Sequence, residues 1–531
     1  MGERVWIYDT TLRDGGQAQG VNFGSADKAA IARELDALGV DYIEAGWPGA
    51  NPTDDAIFSS PPKLSHARLA TFGMTRRLRC SAANDPGLAG VVNAGAPVTC
   101  LVAKAWDFHV TTALGTELGE NIEMIADSIA YAATRAEEVL LDAEHFFDGY
   151  RANSDYALAC LKAGFNAGAR WIVLCDTNGG RLPHEIEEAV TAVAEVIPGD
   201  HLGIHCHNDS GTAIASSLAA VRAGVRQVQG TLNGLGERCG NADLTAVIPN
   251  LVLKMGFETS IDAAGLERLT HVSHMLDERL NRANDPMRPY VGVSAFAHKG
   301  GLHVSAVAKD PTTYEHIAPE LVGNRRQVVV SDQAGRSNIL HRFEELGIEI
   351  DAKSPKLGRL MELVKEREAQ GFAYDGATAS FELLARRTIG TVPEFFDLTS
   401  FRVIDEQRID ARGQRVTLSE ATMKVVVNDE QIMTVAEGNG PVDALANGLT
   451  KVLSGVFPAL TEMRLVDYKV RILTPEAGTA AVTRVMIESE GAEGVRWATV
   501  GVSPNVIAAS YDALKDAITY RLLGSHGGHG P

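Results

Sequence analysis

The stretch Leu202-Gly-Ile-His-Cys-His-Asn-Asp209 sets His205 and His207 two residues apart at the end of a short apolar run. Alternate residues of a strand share a face, so the two imidazoles project together while Cys206 points away. Two neutral imidazoles on one face are half of a metal site. They lead at once into Asn208-Asp-Ser-Gly211 and a helical pattern over 212–222, which puts the pair at the carboxyl end of a strand, where chemistry collects in parallel α/β architectures. Asp14 could add a carboxylate and Asn241 an amide oxygen, which gives three or so ligands with open positions for substrate. Nitrogen and oxygen donors without thiolate suit Mn, Mg, Zn or Co alike. A cation held there would act as a Lewis acid on a bidentate 2-oxo acid. Arg13, beside Asp14, could balance a carboxylate or an enolate oxygen. Asp142 and Glu144 flank Ala143, and one of them could serve as a general acid or base if burial raises its pKa toward neutrality. Thr177 could donate its hydroxyl to a substrate carboxylate, and Glu237 reads as support for the site. Plainer readings stand beside these: hydrogen-bonded histidines at a strand end, a rim salt bridge for Arg13, and a carboxylate pair that only orders the rim.

The elements that must position these groups repeat. From residue 5 to about 255 a strand-then-helix alternation occurs eight times, with strands expected at 5–12, 42–46, 69–74, 99–104, 139–143, 171–176, 202–207 and 227–232. Helical patterns fall between them, among them 25–38, 121–135, 156–167, 183–196 and 243–253. Eight units predict an α/β fold of the closed (β/α)8 TIM barrel type, with an open doubly wound sheet as the alternative. No Gly-x-Gly-x-x-Gly follows a strand with an acidic residue in the expected place, which argues against a dinucleotide fold. Polar residues gather at the strand ends: Asp14, Glu44, Asp142 with Glu144, Asp176 with Thr177, the histidine pair, and Asn233 to Asn241. In a closed barrel all of them ring one mouth.

Past 256 the pattern turns helical, at 265–281, 336–346, 356–370 and 377–386, around a glycine-containing loop Ala297-His-Lys-Gly-Gly-Leu-His303 and a segment holding Tyr314. From about 391 alternating strand patterns take over, at 420–427 and 431–436 before a helix at 440–453, and again at 482–488 and 495–502 before a helix at 504–523. Two copies of one unit make a duplicated α+β module, of a kind that binds something or dimerises. The expected domains are a catalytic barrel over 1–285, a helical linker subdomain over 286–390, the α+β module over 391–525 and a disordered glycine-rich tail over 526–531.

Composition narrows the partners. With 531 residues the chain is too long for one core. A formal net charge of -19 argues against nucleic acid or an anionic membrane surface, so an anionic substrate must meet local positive charge from a metal or a placed arginine. No signal segment and no apolar run of membrane-spanning length is present, and the expected location is cytoplasmic. The six cysteines show no Cys-x-x-Cys spacing and read as reduced, packed thiols.

Three motifs, Asp9-Thr-Thr-Leu-Arg-Asp-Gly-Gly-Gln17, His205-Cys-His-Asn-Asp209 and Gly234-Leu-Gly-Glu-Arg-Cys-Gly-Asn241, together resemble the family of 2-isopropylmalate, homocitrate and citramalate synthases. These are metal-dependent barrels that condense acetyl-CoA with 2-oxo acids. The resemblance continues through Ser294 to His303 and Tyr314 to Glu320 into the duplicated module, and Asp142 to Tyr150 and Glu320 to Arg326 look most like the citramalate-forming branch. It implies Asp14, His205 and His207 as metal ligands with Asn241 close by, and Arg13 as the group that polarises the carbonyl and stabilises the enolate. Glu144 becomes a catalytic carboxylate, with Gln17 and Thr177 binding substrate. His303 and Tyr314 would reach the active site of a partner subunit, which implies a homodimer, and the C-terminal module would be allosteric and bind an end-product amino acid, isoleucine being expected. The implied reaction joins acetyl-CoA as co-substrate to pyruvate and water, giving (R)-citramalate and CoA, the entry to isoleucine from pyruvate. The rivals are 2-isopropylmalate synthesis from 2-oxoisovalerate, a lyase of the hydroxymethylglutaryl-CoA type, and an amino-acid sensor with an inactive barrel. Phe146 and Phe147 depart from the smaller polar residues of isopropylmalate synthases, and are expected to shrink the acyl pocket toward a methyl group.

Overall fold

The computed structural model describes residues 3–280, 282–328, 354–374, 376–409 and 413–526, with a few positions between 339 and 351. The chain divides into two compact units, Met1–Phe296 with His316–Arg326, and Ala297–Glu315 with Gln327–Pro531.

The first unit is a closed barrel of eight parallel strands in sequence order: β1 (Trp6–Asp9), β2 (Tyr42–Gly46), β3 (Arg68–Met74), β4 (Val98–Lys104), β5 (Glu138–Glu144), β6 (Trp171–Asp176), β7 (Leu202–Cys206) and β8 (Gln227–Gly230). Each strand is buried on both faces by the barrel interior and the surrounding helices, which is why the segments read as short continuous apolar runs. β1 stops three residues earlier than its apolar pattern suggests. The Asp9 carboxylate accepts from the backbone N–H and the hydroxyl of Thr11, at 2.9 and 2.8 Å, a local turn that competes with the ladder. Helices Pro52–Ser59 and Pro86–Val92 complete two of the repeats, each with proline in its first turn and a side-chain cap, from Asn51 and Asp85.

Inside the barrel Tyr8, Tyr42, Phe72, Leu140, Trp171 and Val173 pack into one cluster. The Trp171 indole donates to the Tyr42 hydroxyl at 3.2 Å, which donates to Glu138 at 2.8 Å. This plug fills the interior as a core rather than a pore and leaves the carboxyl-end mouth as the open side.

In the second unit β9 (Ala297–His298) pairs in parallel with β10 (Gln327–Val328). Helices Pro355–Ala369 and Thr378–Ile389 follow, and the expected helix at 336–346 lies mostly outside the described residues. The duplicated module holds three antiparallel strands per repeat where the sequence pattern shows two. These are β11 (Asp397–Ile409), β12 (Arg415–Val427) and β13 (Glu430–Gly438) before helix Pro441–Leu453, then β14 (Arg464–Ile472), β15 (Thr483–Glu490) and β16 (Arg496–Ser503) before helix Val506–His526. The extra strands β11 and β14 are edge strands whose residues are mostly exposed and none buried, so the apolar alternation that marks a half-buried strand is diluted in them. The last helix runs through His526, past the expected end of order, and 527–531 lie outside the described residues. Among the described residues no helix is long and apolar enough to cross a membrane.

Candidate metal centre

Barrel closure brings β7 beside the loop that follows β1. His205 and His207 both turn Nε2 toward the Asp14 carboxylate, at 3.5 and 3.8 Å. One ligand atom from each of the three lies within 4.8 Å of the others, and all three residues are buried. These separations are too long for hydrogen bonds, and they suit atoms that share an ion at about 2.0–2.2 Å each. Asn241 joins them through its backbone bridge with His207. Its amide nitrogen donates to the Leu235 carbonyl at 3.0 Å, which leaves Oδ1 without a hydrogen-bond partner. Asp14 Oδ1 is likewise buried and unpartnered. Orphaned acceptors are costly in a dry site unless something electropositive meets them. Gly236 keeps the space open: at its φ of +151° a side chain is strained, and a Cβ would stand 2.1 Å from Asn241 Nδ2 and 3.3 Å from Asp14 Oδ1. The donor set therefore fits a divalent cation.

The protonation states agree with that fit. Burial pushes the His205 imidazole below its usual range, and burial with the neighbouring His205 takes His207 down to about 4, so both rings stay neutral. Burial opposes ionisation of Asp14, but the neighbouring Arg13 charge leads the groups that outweigh it and hold the carboxyl below the ordinary range.

Arg13 is held on three sides. Its Nε donates to Glu44 Oε2 at 2.6 Å, NH1 lies 3.4 Å from Asp14, and the guanidinium lies 3.9 Å from the Phe72 ring centroid. Glu44 is fully buried and also accepts from the hydroxyls of Tyr8 and Thr10, at 2.8 and 2.6 Å. Burial opposes the Arg13 charge, but Glu44 and Asp14 more than offset it and keep the guanidinium protonated. Glu44 carries the structural weight here, and sequence reasoning placed it on the rim without a role. A lone glutamate inside a fully buried strand was the available signal.

Glu144 and Asp142 share the inner face of β5, as their spacing requires, and both line the mouth. Glu144 is ion-paired with Lys104, its register partner on β4 and a residue sequence reasoning passed over. Asp142 accepts from the Gln229 amide at 3.1 Å, and burial together with Glu44 raises its carboxyl to about 7. Thr177 Oγ1 accepts from the His145 backbone N–H at 2.9 Å, so its own hydrogen is free to be donated elsewhere. These groups line one cavity of about 690 Å³ together with Gln17, Glu237 and an apolar wall that includes Met74, Leu78, Val102 and Met124.

One expectation resolves differently. Phe146 and Phe147 do not line the cavity. His145 takes a left-handed conformation, φ +57°, and the rings that follow are buried in the core, 0% and 3% exposed, at 76° to each other. Phe146→Ala is accordingly expected to cost about 3–5 kcal/mol of stability, read as a lower denaturation midpoint. The same change should alter the discrimination between 2-oxo acids by less than about tenfold, the worth of one pocket methylene. A large change of substrate preference at unchanged stability would restore the pocket role. His303 and Tyr314 belong to the second unit, where their rings stack 4.2 Å apart at 28°.

Residues 4–274 match the family model described as HMGL-like, residues 290–371 the one described as homocitrate synthase post-HMGL domain-like, and residues 375–522 the LeuA allosteric (dimerisation) domain. The (R)-citramalate synthase of Aquifex aeolicus is 50% identical over 525 residues, covering 98% of this chain and 98% of its own. That of Geobacter sulfurreducens is 50% identical over 520 residues, covering 98% and 97%. A probable 2-isopropylmalate synthase of Methanopyrus kandleri is 32% identical over 518 residues, covering 97% of each chain.

Proposed function

Because the chain belongs to the HMGL-like family, in its (R)-citramalate synthase branch, it condenses acetyl-CoA with pyruvate and water to (R)-citramalate and CoA, and we propose that the barrel mouth carries the reaction. The observation that carries this reading is identity of about one half along nearly the whole chain, joined to a buried donor set at the expected mouth.

The proposed ligands are Asp14, His205 and His207, with Asn241 Oδ1 close enough to complete the set. A divalent cation bound there supplies Lewis-acid polarisation of a keto oxygen. Arg13 stands beside it with its geometry fixed by Glu44 and Phe72, and offers its remaining N–H groups to developing negative charge on the keto or enolate oxygen. The Thr177 hydroxyl, and Gln17 at the exposed edge of the cavity, hold the pyruvate carboxylate. Glu144, facing the same space and kept in place by Lys104, is the group we assign to moving the proton of the acetyl methyl. The volume beyond a three-carbon acid leaves room for the acyl end of acetyl-CoA, and Arg77, largely exposed at the cavity edge, suits its anionic tail. His303 and Tyr314 are assigned to the mouth of a partner subunit in a homodimer. The module over 391–525 is assigned to binding an end-product amino acid, with isoleucine the first to try.

The test is steady-state release of free CoA thiol with pyruvate, 2-oxobutyrate, 2-oxoisovalerate and 2-oxoglutarate. Pyruvate is expected to exceed 2-oxoisovalerate in kcat/KM by about 10–200-fold, the range that added methylenes command in an apolar pocket. Preference for the branched acid would replace this reading by 2-isopropylmalate synthesis.

A further inference from the structure

We propose that Gln229 and Asp142 form a buried relay that fixes the tautomer of His205 and thereby prepares one of the two imidazoles to bind the cation. The inference rests on the metal-site reading above. His205 Nδ1 lies 3.0 Å from Gln229 Oε1, and Gln229 Nε2 donates to Asp142 Oδ1 at 3.1 Å. All three residues are buried, with Gln229 at 0% exposure, so solvent cannot substitute for either contact.

The direction of the chain follows from what each group is able to do. Gln229 Nε2 donates to Asp142 Oδ1, and an ionised carboxylate there can only accept. The NH₂ end of the Gln229 amide is therefore turned to Asp142, which leaves its oxygen facing His205. An oxygen there accepts, so Nδ1 carries the imidazole hydrogen. The lone pair is then on Nε2, the atom 3.5 Å from Asp14. The opposite amide orientation would press the Gln229 oxygen against a carboxylate oxygen and place an N–H group toward Nδ1. His205 would then carry its hydrogen on Nε2, where it blocks the ion. In its ionised form, which prevails above the value of about 7 to which burial raises its carboxyl, Asp142 on β5 thus sets a ligand on β7 through an amide on β8. His207 is not set in this way, since its Nδ1 has no hydrogen-bond partner among the described residues. Supporting partners of this kind govern metal affinity in many sites.

The test measures Mn2+ affinity of the full-length chain, stripped of metal and retitrated, with free Mn2+ read by electron paramagnetic resonance. Gln229→Leu is expected to weaken binding by about 10–100-fold, and Asp142→Asn, which frees the amide to turn, by about tenfold. The double variant Gln229→Glu with Asp142→Asn moves the charge one place along and keeps every hydrogen-bond direction: the new amide at 142 donates to the new carboxylate at 229, which still accepts from Nδ1. It is expected to return to within about threefold of the parent. Rescue of this kind does not follow from a packing role. Parent-like affinity in Gln229→Leu, or a double variant no better than the worse single, overturns the relay. Asp14→Ala separates the two levels of inference. Lost Mn2+ binding in Asp14→Ala with parent-like Gln229→Leu sinks the relay alone, while parent-like binding in Asp14→Ala sinks the metal site itself.

Discussion

Asp14→Ala is expected to leave a folded chain that elutes without stoichiometric metal and turns over at least about a thousandfold more slowly, since Lewis-acid stabilisation of about 4 kcal/mol corresponds to that factor. Among the three buried donors within 4.8 Å of one another, Asp14 alone is anionic, because both histidines are held neutral by burial. It also faces Arg13, whose NH1 stands 3.4 Å away. Removing the carboxylate takes away a ligand and in the same step leaves Arg13 paired with Glu44 alone, so less negative charge offsets the repulsion between the guanidinium and a divalent ion. Two neutral imidazoles and an amide oxygen do not offset that repulsion at working metal concentrations. The measurement is metal per chain after gel filtration, together with CoA thiol release under excess Mn2+ or Mg2+. Full metal content and turnover in the variant would dissolve the account of the mouth, and would favour an amino-acid sensor in which the barrel serves as a scaffold.

The sequence was most legible where a rule acts locally. Tyr42–Gly46 and Trp171–Asp176 form strands with the limits their apolar runs suggest, because both faces of each are buried and nothing nearby competes with the ladder. His205 and His207 converge because the two-residue period of a strand dictates it. Asp14 and Asn241 join them because a barrel closes its first strand on its eighth, a topological fact that the count of eight repeats already contains. The misses share a different cause. Lys104 and Gln229 are unremarkable within their own strands and Glu44 stands out only as a lone buried glutamate, and each takes its role from a partner elsewhere: Glu144, the pair His205 and Asp142, and Arg13. β11 and β14 escaped because, unlike the other edge strands β13 and β16, they hold no buried residue to create a pattern. Phe146 and Phe147 were misplaced because the left-handed turn at His145, which sends the chain back into the core, is carried by a residue type with no fixed turn signature.

Arg13→Lys isolates the second large contribution. A charge-only account of Arg13 expects little change, since lysine restores the cation. The structure expects otherwise, because the side chain does three things at once: Nε binds Glu44, the flat guanidinium lies on Phe72, and the outer nitrogens face Asp14 and the cavity. An ammonium has a single nitrogen and no planar face, so it can satisfy buried Glu44 or face the substrate, and the unpaired carboxylate at 0% exposure draws it inward. The cavity then loses its fixed N–H donors while the metal ligands stay in place. The expected loss is about 10²–10³-fold in kcat, the worth of a placed donor to developing oxyanion charge. Mn2+ affinity should remain within about threefold, because no ligand has been touched. A fall in kcat with a nearly constant KM for pyruvate marks an interaction made mainly in the transition state. Parent-like turnover in Arg13→Lys would reduce Arg13 to a rim ion pair and leave the bound cation alone to stabilise the oxygen at which negative charge develops.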